Sequence, residues 1–137
     1  MEKQRKAIFR LVGIGSLLFS VILLTSCSDE AVVLPVLNTI QAADADITST
    51  TAKLKGEIVS LGNQKIAEYG IEISKSQLFS SPVRNHLTTP AVAGQFEVDF
   101  TGLDPDTRYY YRAYTVINTA HKYSPDYLYF TTKSPVK

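Results

Sequence analysis

The chain has 137 residues, with 14 Lys and Arg against 13 Asp and Glu, and it contains eight tyrosines, one cysteine and no tryptophan. A single cysteine excludes an internal disulfide framework, and the length leaves room for little more than one ordinary domain. The near-neutral balance gives no basic face of the kind that nucleic acid requires.

The first stretch, MEKQRKAIFR, sets Lys3, Arg5, Lys6 and Arg10 against one acid, Glu2, and an apolar run from Leu11 to Ser26 follows. That run is short for a membrane span, which needs roughly 20 mostly apolar residues. A basic head, an apolar middle and small residues at the end describe a secretory signal peptide over residues 1–26. It closes on Leu24-Thr25-Ser26-Cys27, which resembles the bacterial lipobox. The resemblance implies cleavage before Cys27 and lipidation of its thiol with a diacylglycerol. The following Ser28-Asp29-Glu30 is similar to the export signal of Bacteroidota-type lipoproteins, which implies an outer-membrane address facing outward. Removing the four bases and one acid before Cys27 leaves ten bases against twelve acids, a net charge of −2. The mature part is mildly acidic, with no nucleic-acid partner expected.

Residues 27–36 read as the acylated cysteine and a tether, and residues 37–133 as one domain. Leu37–Ala43 is a first strand. In TTAKLKGEIVS, Ala52, Leu54, Gly56 and Ile58 share one face while Lys53, Lys55 and Glu57 share the other. In AEYGIEIS, Tyr69, Ile71 and Ile73 alternate with Glu68, Gly70, Glu72 and Ser74, and QFEVDF points Phe96, Val98 and Phe100 inward. The segment from Lys75 to Gly94 is irregular, with Pro82 and Pro90 tolerable only around an edge strand near Arg84 to Leu87. The tyrosine-rich run to Tyr114 and the stretch Tyr127 to Thr132 supply the last two strands. Short runs of period two, with one wet face per sheet, predict an all-β antiparallel sandwich of about seven strands.

Leu103-x-Pro105-x-Thr107-x-Tyr109, followed by Tyr111 and Ala113, resembles the turn and strand of a fibronectin type III domain, an immunoglobulin-like sandwich. The closing Phe130-Thr131-Thr132 and the strand Thr51-Ala52-x-Leu54-x-Gly56 fit it too. The resemblance implies that Tyr109 is a buried "tyrosine corner" whose hydroxyl meets backbone a few residues upstream. Many such domains bury a tryptophan on the second strand; here Leu54 takes that place.

Chemistry is sparse. His86 and His121 fall in predicted loops without metal-ligand spacing, no serine sits in a nucleophile elbow, and no phosphate loop occurs. Asp44 with Asp46 and Asp104 with Asp106 are too few oxygens for calcium and suit turns. No cofactor, metal or catalytic residue is expected, and the chain is not expected to be an enzyme. Alternation turns Tyr109, Tyr111 and Ala113 inward and Tyr110, Arg112 and Tyr114 outward, with Tyr127 and Tyr129 outward on the last strand. Together these five outward residues form a candidate binding face for a glycan or an envelope protein. The competing reading is cross-strand support, with Arg112 paired to Glu72. Function is expected to be non-catalytic: a surface binding or accessory module or, alternatively, a structural or assembly component binding other envelope proteins.

Overall fold

A computed structural model describes residues 29–137. The predicted signal peptide and Cys27 lie outside the described residues. The chain divides into two compact units, Met1–Ala31 and Val32–Lys137. In the first, only residues 29–31 are described, exposed and without regular structure. The second holds the fold.

Eight strands follow one another: β1 (Val36–Ile40), β2 (Ala52–Ser60), β3 (Glu68–Ser74), β4 (Val83–Leu87), β5 (Gly94–Phe100), β6 (Arg108–Ile117), β7 (Ala120–Tyr123) and β8 (Leu128–Thr131). One sheet has the order β1-β2-β5 and the other β4-β3-β6, with β7 and β8 both on the far edge of β6. Every strand pairing is antiparallel. The protein is an all-β sandwich of the immunoglobulin and fibronectin type III kind.

The alternation read from the sequence builds the core. Ala52, Leu54 and Ile58 of β2, Tyr69, Ile71 and Ile73 of β3, and Phe96, Val98 and Phe100 of β5 are all buried. Gly56 must stay small because a Cβ there would come within 2.5 Å of the Phe96 ring and 3.1 Å of Ala113. The space lets Phe96 reach across and meet Tyr69 edge to face, centroids 5.2 Å apart, a geometry that aromatic quadrupoles favour.

Tyr109 and Tyr111 are buried as expected. The Tyr109 hydroxyl accepts a hydrogen bond from the Asp104 N–H at 3.0 Å, the corner that the fibronectin resemblance implied. Its ring stacks on Phe130, centroids 5.6 Å apart. The Tyr111 hydroxyl accepts from the Ala42 N–H at 2.8 Å and donates to the Ile40 carbonyl at 2.9 Å. One phenol thereby ties the end of β1 to the opposite sheet.

Three departures from the sequence reading bear on function. An additional strand, β7, lies between the tyrosine-rich strand and the last strand expected at Tyr127 to Thr132. It turns back from β6 at Asn118-Thr119, both at positive φ (47° and 69°), the twist of a type I′ hairpin without its usual glycine. His121 therefore sits in β7, where a loop was expected, while His86 sits in β4, the edge strand expected near Arg84 to Leu87. Finally, the outer face of β3 is not wet: Glu72 is wholly buried and Ser74 nearly so. The turn after β3 folds back over this face and brings Phe79 onto Arg112.

Candidate binding face on the larger sheet

Register fixes the face. Cross-strand pairs set Glu72 opposite Arg84 on one side and Arg112 on the other, and Tyr110 opposite Ser74 and Tyr129. Side chains of Tyr110, Arg112 and Tyr114 point the same way, as alternation along a strand requires. Their surroundings differ sharply.

Arg112 is a partly buried connector. Its Nε donates to Glu72 Oε1 at 2.7 Å, while Arg84 Nε donates to Glu72 Oε2 at 2.8 Å. The Arg112 guanidinium lies between two rings, 4.1 Å from the Phe79 centroid and 3.7 Å from that of Tyr123. With its donors on Glu72 and both faces covered, it presents little to a ligand. The expected pairing with Glu72 is present.

Tyr114 corrects the sequence reading. It lies on the outer side of the sheet but is fully buried, not exposed. The His121 ring packs 5.7 Å away, the Arg84 guanidinium lies 6.0 Å from the ring centre, and the hydroxyl donates to Glu68. The unforeseen β7 hairpin and the edge strand β4 close over it. Burial pushes the Tyr114 phenol far above its ordinary pKa of 10.0, and the bond to Glu68 adds to the rise. Burial also raises Tyr111, against the opposing effect of its bond from Ala42. In both cases folding favours the neutral phenol, so the unfolded chain releases these protons first. The contribution of these two phenols to stability should be constant below pH 10 and fall as pH rises beyond it. An alkaline titration should show Tyr114 and Tyr111 ionising only as the β-sheet circular dichroism is lost, and Tyr114→Phe should lessen the alkaline loss of stability.

The exposed part is narrower than the five predicted residues. Tyr127 and Tyr129 are 41% and 55% exposed, and Tyr110 lies half-buried between them. Its ring is 6.1 Å from Tyr127 and 6.2 Å from Tyr129. The Arg108 guanidinium lies over Tyr129 at 4.7 Å, and the Gln77 side-chain amide donates to the Tyr127 hydroxyl. Beside these rings runs an open groove of about 700 Å³, bordered also by Gln41, Pro125 and Asp126. Arg108 was legible in the sequence, being two residues before Tyr110 on the same strand face. Gln77 and Phe79 were not, because the turn that delivers them has no periodicity.

The other candidates resolve into turns and surface pairs. Asp44 and Asp46 meet Lys133 and Lys55 at 3.2 and 3.9 Å, Asp104 pairs with Lys75, and Asp106 accepts from the Ser134 hydroxyl at 2.5 Å. Among the described residues no cluster of three or more His, Cys, Asp or Glu could hold a metal ion.

No family model and no curated protein matches the chain. Solved structures do. The short form of the sensor domain of the anti-sigma factor RsgI4 from Pseudobacteroides cellulosolvens superposes with a TM-score of 0.58 at 14% identity, over 77% of this chain and 100% of that one. A fibronectin type III domain derived from the human KIAA0970 protein gives 0.52 at 17% identity, over 77% and 78% of the two chains. The fibronectin type III domain of human fibronectin type III domain containing protein 3 gives 0.51 at 13%, over 80% and 94%. The fold is therefore fibronectin type III-like. A fold used so widely does not carry an activity with it.

Proposed function

We propose that this protein is a non-catalytic binding module of the bacterial cell envelope, anchored in the outer membrane through acylated Cys27, and that its ligand is a glycan. The observation behind the glycan reading is the tyrosine cluster of Tyr110, Tyr127 and Tyr129 beside an open groove of mixed polar and apolar lining. Tyrosine rings offer flat apolar faces with a polar tip, which suits the C–H face of a sugar. Gln41, Gln77, Arg108 and Asp126 supply donors and acceptors for hydroxyls at the groove. Arg112 and Tyr114 belong to the support beneath. A sensor domain shares this fold, so the architecture accommodates a recognition role.

Retention of the protein in polysaccharide-loaded native gels tests the glycan reading. Tyr110→Ala and Tyr129→Ala should each weaken binding about tenfold or more, as loss of an aromatic contact at a hot spot does. For Tyr129 the melting temperature should barely move, since its ring is largely in water. A wild type that binds no polysaccharide, with variants that only lose stability, would give the face back to cross-strand support. An assembly role predicts an envelope protein that co-purifies with the wild type and is lost on the same substitutions.

The anchor has its own test. A fatty-acid analogue should label the wild type and not Cys27→Ala; equal labelling would remove the lipoprotein reading and leave the sugar-binding one standing.

A further inference from the structure

The end of the sandwich where β1 begins carries an apolar cap unrelated to the tyrosine face. Register brings three segments to this end: Val36 pairs with Ser60, and Ile58 with Gly94. Val32, Val33 and Leu34 precede β1, Val59 and Leu61 close β2, and Val92 precedes β5. All six are at least 36% exposed, with Val32 and Val92 at 67%. The three stretches, VVLPV, VSL and PAVAG, contain no charged residue. Val33 is held in place by two backbone-directed bonds to Asn63, Val33 N–H to Oδ1 at 2.8 Å and Asn63 N–H to the Val33 carbonyl at 3.0 Å. Exposed apolar side chains gathered at one end of a fold suit a contact with a partner or membrane.

We infer that this end of the domain seats on the lipid bilayer, with the apolar cap resting at the boundary between headgroups and acyl chains. The inference rests on the acylation of Cys27. Val32 is five residues beyond that cysteine, so even a fully extended tether spans at most about 18 Å. The bilayer is then the apolar phase nearest to the cap, and the tether keeps its local concentration high. The absence of charge from the three apolar stretches points to apolar insertion rather than attraction to anionic lipid, so the seating should depend little on salt. With this end down, the tyrosine face stands beside the membrane rather than against it, open to a ligand.

The test uses the acylated full chain in vesicles of phosphatidylethanolamine and phosphatidylglycerol. Acylation consumes the one native thiol, so a new cysteine carries a polarity-sensitive fluorophore alone. Leu61→Cys and Val92→Cys report on the cap, and Val136→Cys on the opposite end, where the chain leaves β8. The labels at 61 and 92 should shift to the blue and lose emission to bromine-tailed lipid, at low and high salt alike, while the label at 136 does neither. Protein that floats with the vesicles yet shows equal quenching at all three positions, or none, overturns the seating and leaves the anchor intact. Should the chain prove unacylated, the anchor fails separately. The unacylated chain, carrying Cys27→Ala so that the new cysteine is again the one labelled, is mixed with the same vesicles and then decides the seating: quenching at 61 and 92 sustains it, and its absence overturns it. A blue shift that appears without lipid and grows with protein concentration overturns it in favour of contact between copies.

Discussion

Replacing Glu72 with alanine should lower the unfolding free energy by about 3 kcal/mol or more, the range found when one partner of a buried ion pair is removed. The carboxylate is wholly buried, yet each oxygen has its own guanidinium, Arg112 at 2.7 Å and Arg84 at 2.8 Å. Taking a charge out of water is costly, and here the two charge-assisted bonds offset that cost. Without Glu72 the two arginines flank an empty site with like charges and no carboxylate between them. Their side chains keep 36% and 25% exposure, so water screens part of the repulsion and holds the loss to the lower end of the range. Glu72→Gln preserves the shape and should fall between wild type and alanine. Urea midpoints at neutral pH measure both. A loss below about 1 kcal/mol would place the triad with ordinary surface pairs and would mean that Phe79 and Tyr123 alone hold this face.

The contrast between Glu72 and the rest of β3 shows what the sequence could convey. Alternation assigned every inward residue of β2, β3 and β5 correctly, because a period of two leaves no other arrangement once one face meets a core. It also assigned Tyr109 and Tyr111, and the pairing of Arg112 with Glu72. Whether an outward residue meets water is another matter. Tyr110, Arg112 and Tyr114 read alike along β6, but they end half-buried, sandwiched and fully buried, because non-local segments differ above each one. Phe79 arrives from a turn whose conformation includes positive φ at Phe79 and Ser81, and no hydrophobic period announces it. The β7 hairpin that covers Tyr114 turns on Asn-Thr, without the Asn-Gly that makes such turns readable. The candidate face was thus located by pattern and narrowed only by coverage.

Tyr111 provides the other large effect and separates the support from the surface within one run of tyrosines. Tyr111→Ala should cost about 3–5 kcal/mol, the usual range for deleting a buried aromatic ring from a core that relaxes only in part. The ring is wholly buried and packs against Phe130 at 5.8 Å. Tyr111→Phe isolates the hydroxyl. It keeps the ring but leaves the Ala42 N–H and the Ile40 carbonyl without their partner, which should cost about 1–3 kcal/mol. Those two bonds join β1 to the opposite sheet, so in Tyr111→Phe the amides of residues 36–42 should exchange faster than those of β3. Tyr129→Ala, on the neighbouring strand but largely in water, should stay within about 1 kcal/mol of wild type. Equal losses for Tyr111→Ala and Tyr129→Ala would mean that the outer tyrosines are also structural, and would remove the separation between core and ligand face on which the glycan reading depends.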